Sequence, residues 1–190
     1  MIPLSPTARI QLLKMARRVI ESRVSNANLS GSELEQSFPR LDELQVERGS
    51  FVTLHSADRL RGCIGNIVPV GTLYDGVIRN AESAALHDSR FPAVTAMELP
   101  DLDLEISALT PLEPFVGPEG IVVGQHGIYL STSTHRGVLL PQVASERDWG
   151  AEEFLRQTAV KAGLPPDQWM VAQLYRFSAE VFSEKDTHHS

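Results

Sequence analysis

Asp101-Leu102-Asp103-Leu104-Glu105-Ile106-Ser107-Ala108-Leu109 is the stretch on which the fold turns. Leu102, Leu104, Ile106 and Ala108 fall on every second position, and Asp101, Asp103, Glu105 and Ser107 fill the gaps. A period of two marks a strand with one face on a core and the other facing water or a cleft, the habit of antiparallel sheets. Two carboxylates, Asp103 and Glu105, project from the polar face. A solvated outer face and a face doing acid-base or binding chemistry read alike at this spacing.

Upstream, the strand formers Phe51 to Leu54, the turn-like Ser56 to Arg59 and the apolar Leu60 to Val68 predict a hairpin. Leu73, Tyr74, Val77, Ile78, Ala81, Ala84 and Ala85 recur at helical spacing and predict a buried helix face ending near His87 or Asp88. Ser5-Pro6 is a helix start, followed by a stripe of Leu12, Leu13, Ala16, Val19 and Ile20 with Lys14, Arg17, Arg18 and Glu21 opposite. Residues 25–48 read as a polar loop with short helical pieces. Downstream, short strands are expected at Ile121 to Val123, Gly127 to Leu130 and Gly137 to Leu140, and a helix over Ala151 to Ala162. Met170 to Ser183 reads as one final strand. The order lacks regular strand-helix alternation, so the fold class is α+β with a mainly antiparallel sheet.

A chain of 190 residues with this composition can bury a core without disulfides or metal. One domain over 1–184 with two lobes is expected, with a frayed tail at 185–190 that includes His188 and His189. A formal charge of -7 argues against nucleic acid and anionic membranes as partners. Met1 to Arg9 does not read as a secretory leader and no stretch approaches a bilayer span, so a cytoplasmic location is the expectation. The single cysteine, Cys63, excludes an internal disulfide and a multi-cysteine zinc site, and no metal-ligand spacing is legible.

Leu60-Arg61-Gly62-Cys63-Ile64-Gly65 is the most unusual segment chemically. Glycine weakens a strand, so Gly62 and Gly65 mark either a bulge or a close approach by a ligand or another backbone. In a regular strand Arg61 and Cys63 share one face, opposite Leu60, Gly62 and Ile64. A guanidinium beside a thiol favours the thiolate and makes Cys63 a candidate nucleophile; the alternative is a buried cysteine acting as a small apolar residue. His55, His87, His126 and His135 are the internal histidines, and none is assigned as its base. Asp88 and Arg90, after the second long helix, form either a ligand-orienting pair or a structural one.

Taken together, LRGCIG at Leu60 to Gly65, FVTL at Phe51 to Leu54, DSRFPAV at Asp88 to Val94, DLEISAL at Asp103 to Leu109, GVLLPQVASERDW at Gly137 to Trp149 and FLRQTAVKAGL at Phe154 to Leu164 resemble the AMMECR-one domain family. Its bacterial members are called AmmeMemoRadiSam system protein A. The resemblance runs from about Leu41 to Ser183 and implies two associated lobes, with LRGCIG near the groove between them. It supplies no reaction and names no cofactor, and it implies an association with a Memo-like protein and a radical SAM protein. The polar insert at Ser25 to Gln36 departs from the family core. The leading expectation is a pocket protein, with enzymatic activity open, that holds a small polar or anionic substrate against Arg61 and Cys63. Gly62 and Gly65 would allow close approach, and Asp88, Arg90 and Glu105 would recognise or orient the ligand. The rival is a non-catalytic adaptor that binds the partner proteins through its groove and first helix.

Overall fold

The computed structural model describes residues 3–27 and 29–187. In chain order its helices and strands are α1 (Pro6–Val24), α2 (Gly31–Ser37), β1 (Ser50–Ser56), β2 (Arg59–Asn66), α3 (Leu73–Leu86), β3 (Leu102–Leu109), β4 (Glu113–Pro114), β5 (Gly127–Ser131), β6 (Arg136–Leu139), α4 (Pro141–Glu146), α5 (Ala151–Lys161), β7 (Gln173–Phe177), β8 (Ala179–Ser183) and α6 (Glu184–Thr187). The chain divides into two compact units, one of Met1–Leu109 with Glu180–Ser190 and one of Thr110–Ala179. Each has its own four-stranded sheet, in the orders β2-β1-β3-β8 and β4-β7-β5-β6. β1 pairs antiparallel with β2 and β3, β5 with β6 and β7, and β4 with β7. The α+β class with antiparallel sheets is therefore the observed architecture.

In the first unit, Ser5 accepts the Ala8 N–H at 3.1 Å and Pro6 occupies the first helical position, so α1 starts where its signals place it. Its stripe Leu12, Leu13, Ala16, Val19 and Ile20 is buried, together with Met15. α3 begins at Thr72, whose hydroxyl accepts the Asp75 N–H at 3.2 Å. Val52 and Leu54 of β1 and Leu104 and Ile106 of β3 share one apolar core with the buried residues of both helices. Phe51, Thr53, His55, Asp103, Glu105 and Ser107 alternate with them and are half-buried on the opposite sheet face. Within the polar segment before β1, α2 is closed by a reciprocal Ser30–Glu33 capping box, and a 3-10 turn over Asp42–Leu44 buries Leu44.

In the second unit, Ile128 and Leu130 of β5 and Leu174 of β7 form a separate core with Phe154, Leu155 and Ala159 of α5. Gly163, at φ +80°, ends that helix in the left-handed region.

Three expectations are corrected. Ile121 to Val123 is not a strand: the Ile121 N–H goes to the Pro118 carbonyl and the Val122 N–H to His126 Nδ1. The Val122 carbonyl then accepts from Gln125 and His126, so the segment's polar groups are spent in turns. Met170 to Ser183 is not one strand but a 3-10 turn over Pro166–Val171 followed by β7 and β8, which lie in different sheets. The break falls at Ser178, which bonds Thr110 through both its N–H and its carbonyl at 2.8 Å. Of the expected frayed tail, residues up to Thr187 continue into α6, and Lys185 bridges Asp58 at 2.5 Å and Asp103 at 3.6 Å. His188, His189 and Ser190 lie outside the described residues. Among the described residues, no helix is long and apolar enough to cross a membrane.

Candidate functional site

β2 is an edge strand, joined to β1 by Ala57 and Asp58 at φ 48° and 59°, the backbone of a tight two-residue hairpin turn. The pairing is not regular. His55 opposes Leu60 but Leu54 opposes Gly62, so Arg61 is the extra residue of a bulge. The alternation expected for this strand fails there: Leu60, not Arg61, stands opposite His55 on the face that carries Thr53 and Cys63. Cys63 opposes Thr53, and Thr53 opposes Glu105, giving a thiol, a hydroxyl and a carboxylate in one row across three strands. Thr53 Oγ1 donates to Cys63 Sγ at 3.3 Å, and the cysteine is half-buried.

Gly62 and Gly65 answer to packing. A Cβ on Gly62 would fall against the Ala84 carbonyl oxygen of α3, and one on Gly65 against the Phe51 ring and the Ser50 carbonyl. Of the readings open for these glycines, the structure supplies a bulge next to Gly62, a backbone approach at that same residue, and an aromatic ring with a backbone carbonyl at Gly65.

The open edge of β2 is covered by the segment after α3. Asp88, whose side chain is only 4% exposed, accepts the Cys63 N–H at 2.9 Å. It also accepts from Arg90 Nε at 2.9 Å, Arg90 Nη2 at 2.6 Å and the Arg90 N–H at 3.1 Å. Arg90 Nη2 in turn donates to the Cys63 carbonyl at 3.0 Å, so the pair occupies both backbone groups of Cys63 that a neighbouring strand would otherwise take. Arg90's side chain remains 54% exposed. Its guanidinium, helped by the Cys63 N–H, holds the Asp88 carboxyl far below the usual carboxylate range despite burial.

Arg61 points its charge elsewhere. Its side chain is 15% exposed and donates Nε to Glu98 at 2.7 Å and Nη1 to the Pro92 carbonyl at 2.9 Å. That guanidinium and the Thr95 N–H hold the Glu98 carboxyl down to about 2. Glu98 was not among the residues singled out in the sequence, although Thr95 and Glu98 stand at capping-box spacing and both Thr95 donors do bond the carboxylate.

Asp88, Arg90 and Cys63 are thus brought together, with Glu105 in the same row as Cys63, while Arg61 forms a second ionic clamp. His55 opposes Asp103 and Leu60. His126 and His135 belong to the second unit, where they bond Val122 and Thr134. Among the described residues no group of three or more His, Cys, Asp or Glu is placed to hold a metal ion. Two concave surfaces of the first unit, one between α1 and β8 and one under α2, are not lined by Cys63.

The AMMECR1 family pattern matches residues 13–182. A protein of Methanothermobacter thermautotrophicus is 44% identical over 190 residues, covering 96% of this chain and 97% of its own. One from Thermococcus onnurineus is 42% identical over 186 residues, covering 92% and 89%. The crystal structure of the uncharacterized protein PH0010 from Pyrococcus horikoshii superposes with a TM-score of 0.74 at 38% identity, covering 92% of this chain and 90% of that one. The chain belongs to the AMMECR1 family.

Proposed function

We propose that the protein binds a small anionic ligand on the sheet face beside Cys63, with Arg90 as the anion contact. One observation carries this reading: Arg90 is fixed by buried Asp88 through Nε and Nη2, with the Phe91 ring 5.5 Å from its Cζ, yet is half exposed, and its Nη1 makes no hydrogen bond among the described residues. A guanidinium already held in one orientation loses little freedom when a carboxylate or phosphate docks on it. Arg61, engaged with Glu98, serves the framework, as do Gly62 and Gly65. Cys63 supplies a nucleophile at the contact, with Thr53 and Glu105 as the polar side chains that orient the ligand.

Because Cys63 is the only cysteine, alkylation tests the reading directly. Rates with anionic iodoacetate and neutral iodoacetamide are measured on the folded protein and on a model thiol. The iodoacetate-to-iodoacetamide ratio is expected to be higher at Cys63 than for the model thiol, and to fall to the model value in Arg90→Gln. A ratio equal to the model thiol's, unaltered by Arg90→Gln, would remove Arg90 as the anion contact.

The adaptor reading, with a Memo-like and a radical SAM protein as partners, has less support. Arg17 on the first helix is engaged by Glu184 and by the carbonyls of Leu99 and Leu102, which leaves Lys14 and Arg18 as that helix's exposed cations on the face expected to dock. A micromolar complex lost on reversing those two charges, and kept in Arg90→Gln, would favour it.

A further inference from the structure

The ligand's second end is marked by Glu105. Of the two carboxylates on the outer face of β3, Asp103 is bridged by Lys185 at 3.6 Å, whereas Glu105 has no hydrogen-bond or ion-pair partner among the described residues. The other acids around Cys63 are committed, Asp88 to Arg90 and Glu98 to Arg61. A half-buried carboxylate without a counter-charge is free to pair with a cation brought beside it. We infer that the site takes a zwitterion, its carboxylate on Arg90 and its ammonium on Glu105, lying over Cys63 and Thr53; this rests on the reading of Arg90 given above.

The row geometry sets the ligand's length. Cys63 and Glu105 are separated by two interstrand steps of about 4.8 Å, or roughly 10 Å between backbones. Arg90 lies beyond the β2 edge on the far side of Cys63, a glutamate side chain extended towards it would shorten the span by up to about 5 Å, and each end contact occupies about 3 Å. Counting about 5 Å from the Cys63 backbone to the guanidinium, the two charges of the ligand are roughly 4–9 Å apart, which fits the termini of a dipeptide or an ω-amino acid of about four to six carbons better than a single α-amino acid.

Titrations observed by amide NMR on the intact protein test this, with glycylglycine, 4-aminobutyrate and 6-aminohexanoate as zwitterions and butyrate and hexanoate as carboxylates of matching length. The best zwitterion is expected to bind about tenfold or more tightly than its matching carboxylate. Glu105→Gln is expected to erase that preference and leave carboxylate binding intact; Arg90→Gln is expected to weaken both. Carboxylates that bind as tightly as zwitterions, or a preference that survives Glu105→Gln, would overturn the zwitterion inference while leaving Arg90 as the anion contact. Failure of every carboxylate-bearing probe to bind, or binding unaffected by Arg90→Gln, would overturn both.

Discussion

Replacing Gly62 by alanine sets a methyl group against the backbone of α3. The new Cβ would meet the Ala84 carbonyl oxygen well inside van der Waals contact, with the Ala84 carbonyl carbon at 3.3 Å and Leu54 Cδ1 at 3.6 Å. The obstacle is helix backbone, which cannot swing aside as a flexible side chain can. An ordinary contact of about 3.4 Å requires β2 or α3 to move by roughly an ångström, and both sides are pinned: Ala81, Ala84 and Ala85 are buried, and β2 is held by Asp88 and Arg90. Overpacking of this kind costs about 1–3 kcal/mol, and the stiffer unfolded chain returns about 0.5–1 kcal/mol. Because the obstacle is backbone, the upper part of the overpacking range, about 2–3 kcal/mol, applies, and the expected net loss is about 1–2.5 kcal/mol, or roughly 2–10 °C in Tm for a chain of this size. Urea denaturation followed by circular dichroism measures it, with Gly31→Ala as the control, since a Cβ there meets nothing within 4 Å. A Gly62→Ala protein as stable as the control would refute the reading of this glycine as a point of backbone contact.

Arg48 is 3% exposed and donates to the Leu109 carbonyl at 2.6 Å and to Glu180 at 2.8 Å, while Glu180 also accepts from Arg9 at 3.1 Å and from the Leu4 N–H at 2.9 Å; Arg48→Met should cost about 1–3 kcal/mol in thermal melts, and adding Glu180→Met, which leaves Arg9 and Leu4 without their acceptor, should lower the Tm further. A single variant with unchanged Tm would mean that this clamp is dispensable. Glu98 has a folded-state carboxyl held down to about 2, so the unfolded chain binds its proton first on acidification; the stability it contributes is complete above the ordinary carboxylate range and is lost as pH falls from about 4.5 towards 2. Wild-type protein should therefore lose more Tm across that interval than Glu98→Gln, and parallel profiles would deny the clamp its role. Ser30→Ala removes the hydroxyl that accepts the Glu33 N–H, and should cost α2 about 1 kcal/mol of local stability, seen as faster amide exchange confined to that helix.

Elements with a clean period were legible in the sequence. α1, α3 and α5 follow their stripes, and β3 follows its alternation, because each buries one face against a single core. β7 and β8 were read as one strand because Leu174, Phe177 and Phe182 belong to two sheets, and two phases placed end to end look like one imperfect alternation. The partnership expected between Arg61 and Cys63 assumed an unbroken strand. One extra residue opposite the Leu54–His55 step changes which side chains share a face, and nothing in the local composition counts residues on the partner strand. Asp88 and Arg90 were visible as a pair, but their docking on the backbone of Cys63 is a long-range contact that spacing does not encode. Arg48 lay unremarked in a polar segment because its burial depends on Glu180, which is 132 residues away.

The claim on which the functional reading depends is that Arg90, held by Asp88, faces a ligand beside Cys63. Nitrogen-15 NMR of the arginine guanidinium groups during titration with glycylglycine tests it most directly. The account predicts shifted and slowed Arg90 Nη signals together with perturbed Cys63 and Glu105 amides, all diminished in Asp88→Asn. Perturbation confined to Arg23 and Arg40 under α2, with Arg90 unmoved, would contradict it.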